Sequence, residues 1–257
     1  MARKKRLSDE ELYFELGSMD EQKKETQEKV SNKEARYIDS SLKKIKLNES
    51  QEKLFQIYKE NKIIFVFGPA GTAKTFTACY CGLDSLTNDP AISKILLIKP
   101  TIEASKSLGY LPGDEKEKTD PFMYSYYDNL AKIVGPTKLG IMLNQNNTIK
   151  VENLQYMRGR TFDNAVILLD EAQNCNYKEI MLAITRLGKN SKMVIFGDTS
   201  QYDIREKDVA LKKFFKLFQN LKDVGVFEFE KKDIVRSPIL IEITEVYEKW
   251  RIENNLD

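Results

Sequence analysis

With 257 residues, 41% of them apolar and 31% charged, the chain has enough material for one large α/β domain or two small ones. Histidine is absent, which excludes histidine-activated nucleophiles, histidine general bases and histidine-containing metal sites, and leaves carboxylates, Lys, Arg, Gln, hydroxyls and a hard cation for any chemistry. Charge is balanced: residues 1–48 hold 12 Lys/Arg and 10 Asp/Glu, leaving 29 of each beyond them, so no global basic field recruits nucleic acid and such a partner needs a local patch.

No apolar run approaches the roughly 20 residues of a membrane span, so no membrane association is expected. The start, MARKKRLSDEELYF, lacks the apolar core of a secretory signal. Cys79, Cys81 and Cys175 are an odd, sparse set that fits buried small residues in a reducing cytoplasm better than a disulfide or zinc framework.

Residues 1–46 are rich in Glu, Lys and Gln with few apolar anchors, which predicts a charged, loosely structured or helical extension. From LNESQEKLFQIYKEN the pattern sharpens into a capped helix with Leu54, Ile57 and Tyr58 on one face. KIIFVF (62–67) is a strand buried on both faces, followed by a glycine loop and a helix over TFTACYCGLDSL. SKILLIKP (93–100) predicts a second buried strand and TIEASKSL a helix. GYLPGDEKEKTDP (109–121) reads as a charged loop, with helices over FMYSYYDNLAKIVG and PTKLGIMLNQ. Tyr124, Tyr126 and Tyr127 have helical spacing, which points to core positions.

NAVILLDEAQN is a third buried strand, and YKEIMLAITRLG an amphipathic helix stopped by Gly188. SKMVIFGD is a fourth strand, DVALKKFFKLFQNL a helix, GVFEFE a short strand and SPILIEITEVYEKW a closing helix. Buried strands alternating with helices define an α/β fold: a mostly parallel sheet with helices on both faces.

The chemistry concentrates at strand ends. FGPAGTAKT (67–75) is one substitution from a P-loop, G-x-x-x-x-G-K-[ST], in which backbone N–H groups and a lysine surround phosphate. Gly68, Pro69, Ala70, Gly71, Thr72, Ala73, Lys74, Thr75 and Phe76 are the candidate nucleotide-binding residues. Ala73 replaces the usual glycine. It is harmless if residue 73 has helical dihedrals, which is the expectation, and harmful if that spot needs positive φ.

Asp170 ends a buried strand, where ligands sit in open α/β sheets, and can hold Mg²⁺ together with Thr75. Glu171 can orient or deprotonate an attacking water. In FGDTSQ (196–201), Gln201 can contact a γ-phosphate or the lytic water, while Asp198 reads equally as a turn residue.

GPAGTAKT, SLGYLPGDEKEKTDPF, YMRGRTF, VILLDEAQN, TRLGKNSKMVIFGDTSQYD and DIVRSP together resemble the PhoH family of ATP-binding proteins, from about Leu47 to the last helix. The resemblance implies a single RecA-like P-loop ATPase domain over 47–257, with ATP and Mg²⁺ as ligands. It also implies an upstream glutamine that reads adenine; Gln51 stands in that place, and is otherwise an ordinary surface glutamine of a helix. The family often carries TRP after the second strand, where this chain has IKP (98–100). Some relatives add an RNA-cleaving domain, for which residues 1–46 are too short, so no nuclease is expected.

One such domain needs a cation beyond the γ-phosphate. Arg236 in DIVRSP is the candidate arginine finger, supplied in cis or by a neighbouring subunit of a homo-oligomeric ring, a hexamer by family resemblance. Arg158 and Arg160 flank Gly159 in an exposed turn, for contact with phosphate or with a neighbouring subunit, or as a basic turn held by local carboxylates. The expected function is an oligomeric ATPase associated with single-stranded RNA or DNA. The alternative is a nucleotide-gated assembly protein with little turnover; a small-molecule kinase fits the motif order poorly.

Overall fold

A computed structural model describes residues 37–100, 115–144, 148–198, 211–235 and 238–254. Helix α1 (Glu49–Glu60) begins where Asn48 accepts the Gln51 N–H while the Gln51 side chain accepts the Asn48 N–H, both at 2.9 Å. This reciprocal cap satisfies two donors that a helix start otherwise leaves open. Strand β1 (Ile63–Phe67) leads through the glycine loop into α2 (Lys74–Asn88), and β2 (Lys94–Lys99) follows.

Next come α3 (Glu115–Val134), α4 (Pro136–Asn144), β3 (Ile149–Asn153) and β4 (Ala165–Leu169). The chain closes with α5 (Tyr177–Ile184), β5 (Lys192–Gly197), α6 (Leu211–Phe218), β6 (Val224–Glu228) and α7 (Pro238–Glu253). Among the described residues, no helix is long and apolar enough to cross a membrane.

The six strands form one sheet in the order β3-β2-β4-β5-β1-β6, and every pairing is parallel. The strands alternate their side chains between two apolar layers, as a period of two demands. Ile64, Val66, Ile95, Leu97, Val166, Leu168, Val194 and Phe196 face one layer, with residues of α1 to α4. Phe65, Phe67, Leu96, Ile98, Ile167, Leu169, Met193 and Ile195 face the other, with residues of α5 and α6. Helices therefore cover both faces, and the buried strands read as continuous apolar runs for that reason. Residues 37–42 are helical and place Ile38 and Leu42 in the first layer.

Register sets the functional edge. Phe67 pairs with Gly197 and Ile195 with Leu169, so the residues that follow β1, β4 and β5 leave the sheet side by side at its carboxyl edge.

The structure departs from the sequence expectations at several points. The charged stretch expected as a loop up to residue 121 is helical from Glu115 onward, in keeping with the helix preference of Glu and Lys. Strand β3 was not expected; it is an edge strand, only Ile149 of it is fully buried, and its sequence IKVEN gives no apolar run. Tyr126 is in the core, but Tyr124 is 61% exposed, because two residues along a helix turn the side chain by about 200°. All three cysteines are buried and unbridged, as expected. The helix expected over 101–108 lies outside the described residues.

Candidate functional site

The loop after β1 has two backbone requirements. Gly68 has φ +142°, and a Cβ there would lie 2.6 Å from the Phe229 Cβ and 2.8 Å from its carbonyl oxygen, so only glycine fits. Ala73 has φ 62° and ψ 29°, the left-handed region, at the N-cap of α2. The expectation of helical dihedrals at residue 73 is thus overturned. Residue 73 turns the chain out of the loop before the helix begins, and the methyl group carries a cost of about 1–2 kcal/mol there.

Within the loop, the buried Thr72 donates its hydroxyl to the Pro69 carbonyl at 2.9 Å. Lys74 folds over the loop and donates to the carbonyl oxygens of Gly68 (2.6 Å) and Pro69 (2.7 Å). Its ammonium is therefore held at the mouth of the loop. Phe76 lies on the first turn of α2 against the first apolar layer. From the other side, Val235 donates its N–H to the Gly71 carbonyl at 2.9 Å, which fixes the segment after β6 on the loop.

Asp170 and Glu171 follow β4 directly. The Thr75 hydroxyl donates to Asp170 Oδ2 at 3.2 Å, and the Glu171 N–H to Asp170 Oδ1 at 2.8 Å. Burial raises the Asp170 carboxyl to about 6, with the neighbouring Glu171 acting in the same direction and Lys99 pulling against them. Glu171 also has positive φ, 53°, and its side chain is 45% exposed. Two non-glycine residues in the left-handed region, Ala73 and Glu171, thus flank one site, as is common where function dictates backbone geometry.

Gln173 links this pair to the next strand. Its amide donates to Glu171 Oε2 at 2.6 Å, and its carbonyl oxygen accepts the Asp198 N–H at 3.0 Å. Any Cβ on Gly197 would collide with that oxygen, so β5 must end in glycine for the bridge to form. Lys99, the last residue of β2, brings its ammonium to 3.7 Å from Asp170 Oδ2 and 4.0 Å from Glu171 Oε1.

The hydroxyl of Thr75 and the carboxylate of Asp170 face each other, which is the donor set a Mg²⁺ ion uses when phosphate oxygens and water complete its octahedron. Among the described residues, no cluster of three or more His, Cys, Asp or Glu offers an all-protein metal site. The residues present therefore fit a cation that arrives with a phosphate ligand.

Of the residues expected from sequence, the structure brings together Gly68 to Thr75, Asp170, Glu171 and Asp198. Gln51 is buried rather than on a helix surface, its amide oxygen taken by the cap of α1. Its neighbour Ser50 donates to Asp233 at 2.6 Å, in the same segment that reaches Gly71. Gln201 and Arg236 lie outside the described residues. Sequence reasoning missed Gln173, inside DEAQN, and Lys99. The available signal for Lys99 was a charge at the end of a buried strand.

The turn at Arg158 and Arg160 is present, with Gly159 at φ 73°. Arg160 forms a two-point ion pair with Glu152 at 2.6 and 2.9 Å and covers the Phe162 ring, so local contacts hold it. Arg158 is exposed and lines a cleft of about 410 Å³ with Tyr156 and Lys178.

A parallel sheet with a phosphate loop after β1 and an acidic pair after β4 defines a P-loop NTPase, a nucleotide-binding protein. Comparison with known proteins narrows the class. The pattern of the PhoH family, described as PhoH-like protein, matches residues 44–248, and the chain belongs to that family.

A PhoH-like protein of Bacillus subtilis is 39% identical over 194 residues, 74% of this chain and 60% of that protein. One from Synechocystis is 34% identical over 77% of this chain and 60% of the relative. Protein PhoH of Escherichia coli is 33% identical over 75% and 54% respectively. This chain thus spans little more than half the length of the curated relatives it matches. Among solved structures, the Pyrococcus furiosus Hef helicase domain is a distant likeness, 16% identical with a TM-score of 0.39, over 72% of this chain and 38% of that one.

Proposed function

We propose that the chain hydrolyses ATP with Mg²⁺ and does so as an oligomer that engages single-stranded nucleic acid. The observation that carries this reading is the contact of Thr75 with Asp170 beside Glu171, directly opposite the phosphate loop.

Each residue has a role. The backbone N–H groups of residues 70–75 face the phosphates, and Lys74 leaves its loop carbonyls to contact them. Thr75 and Asp170 hold Mg²⁺, which neutralises charge on the phosphates when bound. Glu171, oriented by Gln173, positions and deprotonates the water. Gln201 contacts the γ-phosphate or that water, Gln51, whose oxygen serves the cap of α1, reads adenine through its amide N–H, and Arg236 reaches the site of a neighbouring subunit as the arginine finger.

Nucleic-acid association finds support in the cleft lined by Tyr156, Arg158 and Lys178. It is built from the segments that leave the carboxyl ends of β3 and β4, and it combines an exposed ring with two cations. A second reading, a nucleotide-gated assembly protein with little turnover, draws on the left-handed Ala73 in the phosphate loop.

Phosphate release from ATP with Mg²⁺, measured with and without single-stranded RNA, separates the two. Turnover that RNA accelerates supports the first reading, and tight ATP binding without turnover supports the second. Light scattering with ATP and Mg²⁺ tests the ring; a monomer would remove it.

A further inference from the structure

Lys99 is an unusual residue for the end of a buried strand. It ends β2, a strand whose middle four residues are fully buried, and its own side chain is only 13% exposed. A lysine this enclosed needs partners for its charge. Register supplies them, because Ile98 pairs with Leu169 and so places Lys99 beside the residues that follow β4.

The ammonium stands 3.7 Å from Asp170 Oδ2, the same oxygen that receives the Thr75 hydroxyl, and 4.0 Å from Glu171 Oε1. Those distances are ion-pair contacts rather than short hydrogen bonds. The short bond goes elsewhere: Lys99 donates to Ser125 Oγ on α3 at 2.8 Å. The helix that provides this anchor is itself fixed, since the next residue, the buried Tyr126, donates to the carbonyls of Leu168 (2.7 Å) and Ile98 (3.2 Å). Ser125 and Tyr126 thus tie α3 to the ends of the two strands that carry Lys99 and the acidic pair.

We propose that Lys99 is a positioning residue for the acidic pair. Held by Ser125, its ammonium sets the orientation of Asp170 and Glu171 and balances their charge while no divalent cation is bound. This rests on the hydrolytic reading of the site above. It assigns Lys99 no contact with nucleotide: the residue acts through the two carboxylates.

The test compares Lys99→Met, Lys99→Arg and Ser125→Ala with the unaltered chain. Lys99→Met lowers kcat for ATP about tenfold or more with KM for ATP little changed, as loss of a group that orients a cation's ligands does. Lys99→Arg, which keeps the cation, restores most of that loss. Ser125→Ala keeps the ammonium but removes its anchor, and lowers kcat by a smaller factor in a fully folded chain.

A second readout needs no turnover. Without Lys99, Mg²⁺ arriving with a non-hydrolysable ATP analogue takes over the balancing of the carboxylates, so with that analogue present the melting temperature of Lys99→Met rises on transfer from EDTA to Mg²⁺ by about 3 °C more than that of the unaltered chain. The proposal is overturned if Lys99→Met keeps normal kcat, if KM rises in step with the loss, if Lys99→Arg restores nothing, or if both chains respond equally to Mg²⁺. Absence of turnover in the unaltered chain would remove the hydrolytic reading instead, and the melting comparison would still decide the role of Lys99.

Discussion

The side chain of Gln173 joins Glu171 to the end of β5: its amide holds Glu171 Oε2 at 2.6 Å while its oxygen accepts the Asp198 N–H at 3.0 Å. A carboxylate that is 45% exposed would otherwise sample many rotamers in water. Gln173→Ala is therefore expected to lower kcat about 10–100-fold with little change in KM, as removal of an orienting partner does. Steady-state kinetics check this. A KM effect alone would show that Gln173 serves the fold of the loop rather than the orientation of Glu171.

Ala73 carries the cost of a left-handed backbone that glycine avoids. Glycine in turn loses about 0.5–1 kcal/mol through the freedom it gains in the unfolded chain. The strain relieved is about 1–2 kcal/mol, so Ala73→Gly should stabilise the chain by about 0.5–1 kcal/mol in urea unfolding. ATP binding, followed with a fluorescent analogue, should be at least as tight. Destabilisation would mean that the alanine methyl makes packing contacts that outweigh its backbone cost.

Asp170 gives a pH dependence of defined sign. Its folded value, about 6, lies above the ordinary 3.8, so the folded chain holds this proton more tightly than the unfolded one. The group's contribution to stability is then fully present below about pH 4 and is lost as pH rises through 6. Asp170→Asn, which stays neutral, should be more stable than the unaltered chain by about 3 kcal/mol at pH 8, a difference that shrinks at pH 4. The same variant should lose turnover. In the unaltered chain, kcat/KM should fall on the acid side with a midpoint near 6, because the free site must ionise to hold a cation.

Arg236 follows Val235, whose N–H is bonded to the Gly71 carbonyl. Arg236→Ala should lower kcat by about 10³-fold, the scale of an arginine finger. Mixing Arg236→Ala subunits with Lys74→Ala subunits decides which site the arginine serves. Recovery of turnover in the mixture is expected, since an intact P-loop then meets an intact arginine across an interface. No recovery would assign the arginine to its own subunit's site.

Much of this architecture was legible because β1, β2, β4 and β5 are buried on both faces and therefore appear as unbroken apolar runs. The phosphate loop, Asp170 and Glu171 were legible for a related reason, since each directly follows such a run. Strand β3 was not, because an edge position leaves IKVEN half-exposed and without a pattern. The conformation of Ala73 was hidden because an alanine before a helix argues for helical dihedrals, whereas the turn out of the loop demands the opposite sign of φ. Lys99 and Gln173 act through partners on other strands, Lys99 through the pairing of β2 with β4 and Gln173 through the end of β5. Such long-range register is not written in local periodicity.

In the proposed function, Thr75, Asp170 and Glu171 form a hydrolytic site around a phosphate loop served by Lys74. Phosphate release from ATP with Mg²⁺, measured for the unaltered chain beside Lys74→Ala and Glu171→Gln, tests it most directly. The expected result is turnover that both substitutions abolish, with ATP binding lost in the first and kept in the second. Turnover that survives Glu171→Gln, or its absence from the unaltered chain despite tight ATP binding, would contradict it.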